Sequence, residues 1–111
     1  MSGNAREVAL LTLSACDRQG AWSDLALKKN IRAAGLDSRD AALATRLCFG
    51  VLQNRMLLDF HLSDLCTVRL EKLELAVLTS LRLGAYQILF LDRVPHRAAV
   101  NESVEIGRAH V

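Results

Sequence analysis

The sequence has few of the residues that build sheets, disulfide frameworks or metal sites. Only 5% of its 111 residues are aromatic, it has one proline, and its three cysteines, Cys16, Cys48 and Cys66, lie far apart with no Cys-x-x-Cys or Cys/His spacing. A shortage of aromatic residues disfavours a sandwich or barrel. An odd number of scattered cysteines argues against a disulfide framework or a zinc site. We therefore expect a single all-α domain over residues 1–111, with buried free thiols.

Signatures of catalysis and of membrane insertion are also missing. No Gly-rich loop follows a strand to hold a nucleotide or S-adenosylmethionine, and the three histidines, His61, His96 and His110, are scattered. No apolar run approaches the ~20 residues that a membrane span needs, and the N-terminus has no cleavage-site pattern. We expect a cytoplasmic binding domain that has no catalytic residues, metal or cofactor of its own.

Positive charge is concentrated in the N-terminal half. Residues 1–55 hold eight Lys/Arg against five Asp/Glu, whereas residues 56–111 hold six against seven. Any basic surface should therefore lie on the first half. Arginine suits RNA because its planar guanidinium binds phosphate with two hydrogen bonds or stacks on a base. Exposed arginine is also ordinary on a solvated helix, so composition leaves both interpretations open.

Apolar residues recur at helical spacing through most of the chain. The predicted helices run from Ala5 to about Gln19, from Ser23 to Gly35, from Asp37 or Ser38 to Leu65, from Glu71 to about Asp92, and from Pro95 onward. The third keeps one apolar face over roughly six turns, from Ala44 to Leu58, Leu62 and Leu65. Ser23 is expected as an N-cap and Gly35 as the residue that ends its helix. The fourth helix is apolar on nearly every side, which is typical of a central helix.

The predicted third helix carries an arginine within its apolar stripe. Arg55 could be partly buried and paired with Asp59 one turn later, or it could be presented to a partner. Cys48 and Cys66 fall on the same stripe. Burial there would raise the pKa of a thiol and make it unreactive.

The stretch from Leu81 to Arg108, LRLGAYQILFLDRVPHRAAVNESVEIGR, resembles the end-of-core signature of NusB-like domains. In that signature an apolar helix leads through Asp-x-x-Pro into a Val-Asn-Glu helix. The segments 4–10, 20–27 and 38–47 are similar to the family's first three helices. The resemblance implies a NusB-like helical bundle of about five helices around a central apolar helix.

Two branches share that fold: free-standing NusB antitermination factors, and the N-terminal domain of Sun/RsmB-type ribosomal RNA small-subunit (cytosine-5) methyltransferases. The runs beginning at Arg39 and at Asp92, and the Gly-Val-Leu-x-Asn-Arg segment ending at Arg55, look more like the methyltransferase branch. This implies a domain that holds 16S rRNA for a catalytic domain, outside this chain, that binds S-adenosylmethionine. The antitermination factor, which binds a ribosomal protein and a leader RNA, or another protein-interaction module remains the alternative.

Site residues follow from the charge pattern and from the family motif. Three basic residues on the N-terminal half, away from the predicted core stripes, are candidates for RNA phosphate contacts: Arg6, Arg39 and Arg46. The motif positions expected to have structural roles are Arg55, Asp59, Asp92, Pro95, Asn101 and Glu102. For Asn101 and Glu102, contact with RNA stays open beside a role in fixing the last helix.

The resemblance also implies a further helix after the Asn-Glu helix, which this sequence does not contain. We therefore expect a C-terminally incomplete domain. Val104, Gly107 and Val111 would then form exposed apolar surface, through which a homodimer could assemble.

Overall fold

A computed structural model of the chain describes residues 4–91, and every regular element in that range is helical. The elements are α1 (Ala5–Gln19), α2 (Asp24–Ala34), α3 (Ser38–Gln53), α4 (Arg55–Leu65), a 3₁₀ helix (Leu70–Lys72) and α5 (Leu75–Phe90). The all-α prediction is confirmed. The chain divides into a first unit, Met1–Gly50, and a second unit, Val51–Val111.

In the first unit, α1 and α2 begin and end where local capping signals place them. The side chain of Ser23 accepts a hydrogen bond from the Ala26 amide at 3.1 Å, which makes Ser23 the N-cap of α2. Gly20 and Gly35 follow α1 and α2 in the left-handed conformation, with φ of 79° and 67°. Glycine adopts this conformation without the steric cost that a side chain would add. The predicted bounds of both helices are confirmed.

The core of the first unit lies between α1 and α2, which pack against each other, and includes part of α3. One face of α1, made by residues at helical spacing, is buried throughout: Ala5, Val8, Ala9, Thr12, Leu13 and Cys16. Asn30 on α2 donates a hydrogen bond from Nδ2 to the buried Thr12 hydroxyl at 2.9 Å. That hydroxyl in turn donates to the Val8 carbonyl at 2.7 Å. A satisfied polar link therefore fixes the two helices side by side.

The predicted long third helix is wrong, because the chain breaks at Asn54 into α3 and α4. Asp37 caps α3 by accepting from the Asp40 amide at 2.8 Å, as one of the two expected caps. Asn54 precedes α4 with φ −114° and ψ 18°, and its carbonyl accepts from the Leu58 amide. Asparagine is a weak helix former, which fits an interruption of the helix at this position, but its side chain does not cap α4.

Helix α4 keeps only part of the predicted inner face. Leu58 and Leu62 are buried, but Leu65, expected inside, is 81% exposed at the last position of the helix. Arg55 is exposed, so the partial burial expected of it is not observed, and it makes an interaction within the protein.

Helix α5 begins at Leu75, four residues later than predicted. Residues 70–72 form the 3₁₀ helix instead, and the backbone at Leu73 and Glu74 is extended before α5 starts. Its buried residues lie on all sides of the helix: Val77, Leu78, Thr79, Arg82, Leu83, Gly84, Tyr86 and Gln87. Burial on nearly every side, expected from the apolar pattern, is confirmed, and α4 is the described helix that packs against α5.

Several expectations fall outside the described residues. They concern Asp92, Pro95, Asn101 and Glu102, the helix predicted after Pro95, and the apolar positions Val104, Gly107 and Val111. Within residues 4–91, no helix has the length and apolar character needed to cross a membrane.

Candidate nucleic-acid interface

Two of the three candidate arginines lie on one face of α3. Arg39 and Arg46 are both exposed and seven residues apart, which places them on the same side of the helix about 10.5 Å apart along its axis. Arg6 lies in the first turn of α1, is half-buried, and already makes an interaction within the protein. Among the candidates, Arg39 and Arg46 are therefore the pair best placed to contact successive phosphates.

Helix α2 also carries exposed basic side chains, which were not among the candidates from the sequence. Lys28, Lys29 and Arg32 are exposed on the side of α2 opposite the buried Leu27. In the described part of the first unit, residues 4–50, seven Lys/Arg accompany five Asp/Glu. The signal was present in the sequence, because helical spacing already places these three side chains together once Leu27 is taken as the inner position.

An aromatic pair borders the arginine face of α3. The rings of Trp22 and Phe49 meet edge to face, with centroids 5.5 Å apart and an interplanar angle of 61°. Nε1 of Trp22 donates a hydrogen bond to Oδ1 of Asp24 at 2.8 Å, which holds the indole in place. Phe49 follows Arg46 by three positions, so the two side chains are neighbours on the helix surface. Sequence reasoning missed this pair because the two rings are 27 residues apart in the chain.

The second unit contains a nearly buried ion pair that the sequence analysis also missed. Arg82 of α5 donates from Nε to Oδ1 of Asp59 at 2.8 Å and from Nη2 to Oδ2 at 2.9 Å. The side chains are 6% and 30% exposed, respectively. Asp59 of α4 therefore pairs with Arg82 of α5. Two parallel bonds of this kind fix both position and orientation, so the pair joins α4 to α5.

A solvent-open cavity of about 560 Å³ adjoins this ion pair. Ser63 and Thr67 contribute hydroxyl groups to its lining and Leu78 an apolar wall. Because Asp59 and Arg82 neutralise each other, the pair presents no net charge to a ligand. Within residues 4–91 no three His, Cys, Asp or Glu side chains are grouped so as to hold a metal ion. The arrangement supports a structural role for Asp59, as the family motif implied.

The cysteines in the described range are free thiols, and Cys16 and Cys48 are buried, as expected. Burial, with a smaller contribution from the neighbouring Cys16 thiol, raises the pKa of Cys48 from 9.0 to about 12. The predicted rise in the pKa of the Cys48 thiol is confirmed. Cys66 lies just after α4 and is only half-buried, so its expected burial on a helical stripe is wrong.

We expect native Cys48 to resist alkylation and to make the fold sensitive to alkali. At pH 8 a thiol-directed reagent should label Cys66 in the native chain and label Cys48 only after unfolding, because the thiolate is the reactive form. From pH 9 to about 12 the unfolded chain releases this proton while the folded chain retains it, so the free energy of unfolding should fall as pH rises. Mass spectrometry of labelled peptides and urea titrations across this range measure the two effects. Rapid labelling of native Cys48 would contradict the buried position.

The sequence matches the NusB family over residues 3–110, which is nearly the whole chain. The chain belongs to the NusB family. This NusB-family chain is 35% identical over 105 residues to a protein of Bacillus subtilis (strain 168) named probable ribosomal RNA small subunit methyltransferase B. The match covers 95% of this chain and 23% of that protein. A Synechocystis protein of the same name is 30% identical, with 96% of this chain and 24% of that protein covered.

Relatives from the second branch also match. The transcription antitermination protein NusB of Listeria monocytogenes serotype 4a (strain HCC23) is 33% identical over 107 residues, covering 96% of this chain and 80% of that protein. The chain thus spans about a quarter of the length of the two methyltransferase relatives and most of the length of the antitermination relative. No solved structure gives a significant match. The NusB-like bundle expected from the sequence is confirmed at the level of family and helical fold.

Proposed function

We propose that this NusB domain binds ribosomal RNA and helps to position small-subunit rRNA for a methyltransferase domain outside this chain. The observation that carries the proposal is the exposed arginine face of α3, where Arg39 and Arg46 lie two turns apart in the unit with an excess of positive charge. Side chains at this spacing can neutralise phosphates along one strand without reading its sequence.

The names of the relatives indicate which RNA this domain would bind. The Bacillus and Synechocystis proteins are named as small-subunit rRNA methyltransferases, and this chain matches about a quarter of each. In such a protein the S-adenosylmethionine chemistry would belong to the remaining three quarters. The NusB domain would contribute affinity for the substrate and its orientation. Binding energy from a contact remote from the reacting base can be used to position that base.

An antitermination role is the second candidate. The observation that favours it is that this chain covers 80% of the Listeria NusB protein, so its matched region accounts for most of that relative. Both candidates involve RNA held on a NusB domain. They differ in whether a methyltransferase domain or a separate protein partner acts with it.

A filter-binding titration over a range of salt concentrations tests the proposal. Fragments of small-subunit rRNA should bind more tightly than unrelated RNA of the same length. The logarithm of the binding constant should fall linearly with the logarithm of salt concentration, because each phosphate contact releases counterions. Equal affinity for both RNAs, without a dependence on salt, would rule out the rRNA-positioning role.

A further inference from the structure

We propose that Trp22 and Phe49 form a stacking platform for an unpaired RNA base, with Arg46 holding an adjacent phosphate. The inference rests on the proposed RNA-binding function and deepens it, because it names the side chains that would hold an unpaired base. It assigns the contact to side chains of the first unit alone.

The exposure of the ring pair sets it apart from the neighbouring core. Leu47 and Cys48, the two residues before Phe49 on α3, have 0% exposure, whereas Phe49 is 36% exposed and Trp22 is half-buried. An edge-to-face pair engages the edge of one ring and one face of the other, so further ring surface remains for another flat group. RNA-binding proteins use such exposed aromatic rings to stack unpaired bases.

The platform is held rigid by local structure before any ligand arrives. The indole of Trp22 is fixed by its 2.8 Å hydrogen bond to Asp24. Ser23, between them, caps α2, so the backbone that carries the indole is itself anchored. A ring that is already ordered loses little conformational entropy when a base stacks on it, which favours binding.

Charge beside the rings identifies RNA as the occupant. Arg46 lies one turn before Phe49 on α3, at the spacing where Cβ atoms are ~5–6 Å apart, and Arg39 lies two turns before Arg46 on the same face. A single strand could therefore stack a base on the rings while its backbone follows the arginines along α3. Bases in an A-form duplex are stacked inside the helix and cannot reach the platform, which should select unpaired RNA.

Trp22 is the only tryptophan in the chain, so its fluorescence reports directly on this position. The chain should be titrated with a single-stranded rRNA fragment and with the same fragment annealed to its complement. Tryptophan emission and filter retention should be measured in parallel. We expect the single strand to quench the emission with the same midpoint as filter binding, and the duplex to bind more weakly with less quenching.

Substitutions at the rings separate stacking from charge. Phe49→Leu should weaken single-strand binding about tenfold without changing the salt dependence, because stacking on an aromatic ring contributes roughly that factor. Phe49→Tyr keeps an aromatic ring and should bind like the unmodified chain. Phe60→Leu is the matched control, since Phe60 is 66% exposed but lies on α4 in the second unit, and it should leave affinity unchanged.

Failure of the platform and failure of RNA binding give different results. Salt-dependent RNA binding with unchanged Trp22 emission, and with Phe49→Leu equal to the unmodified chain, would overturn the stacking platform and leave the proposed function intact. Equal loss of binding in Phe49→Leu and Phe49→Tyr would also overturn it, since the ring would then act only in folding. Absence of saturable RNA binding would remove both proposals.

Discussion

Replacing Asp59 with asparagine is expected to lower the free energy of unfolding by about 3 kcal/mol. The substitution keeps the shape of the side chain but removes the charge that Arg82 faces through two hydrogen bonds of 2.8 and 2.9 Å. Arg82 is only 6% exposed, so its positive charge would lose the Asp59 carboxylate while having little access to solvent. Urea unfolding followed by circular dichroism should show a lower midpoint with an unchanged slope.

A substitution of the other residue of the pair provides the control. Arg82→Met removes the buried charge and leaves Asp59, whose side chain is 30% exposed and can be solvated, so we expect a loss of only about 1–2 kcal/mol. The double variant Asp59→Asn, Arg82→Met should be more stable than Asp59→Asn alone, which measures the coupling between the two residues. A single Asp59→Asn variant as stable as the unmodified chain would show that the pair does not join α4 to α5.

Leu58→Ala is expected to destabilise the chain by about 3 kcal/mol, because Leu58 has 0% exposure and its truncation leaves a cavity. Leu65→Ala should change stability by less than about 0.5 kcal/mol, since Leu65 is 81% exposed. The same urea titration measures both. A continuous helix from Ser38 with Leu65 on its inner face would instead make both substitutions costly, so comparable losses would contradict the observed end of α4.

The first two helices were predictable because their signals are local. Ser23 and Gly35 act through bonds and torsions within a few residues, and the inner face of α1 follows from spacing alone. The break at Asn54 was not predictable from periodicity. Val51 and Leu58, on either side of it, are both buried, so the apolar pattern continues across the break.

The missed site residues depend on contacts between distant parts of the chain. Arg82 lies in an apolar run, and its partner Asp59 is 23 residues earlier, so only the packing of α5 on α4 reveals the ion pair. Trp22 and Phe49 are likewise far apart in the sequence, so only the fold reveals that their rings meet. By contrast, the common face of Arg39 and Arg46 followed from their spacing, because it depends only on the helix that carries both.

The RNA affinity of an α3 double variant tests whether the exposed arginine face of α3 binds RNA. Arg39→Gln, Arg46→Gln should be compared with Arg69→Gln, Lys72→Gln, which removes the same charge from exposed positions in the second unit. We expect the α3 variant to bind the rRNA fragment at least tenfold more weakly, with a salt slope smaller by about 1.4, and the control to change less than about twofold. Equal losses in the two variants, or no loss in the first, would contradict an RNA interface on α3.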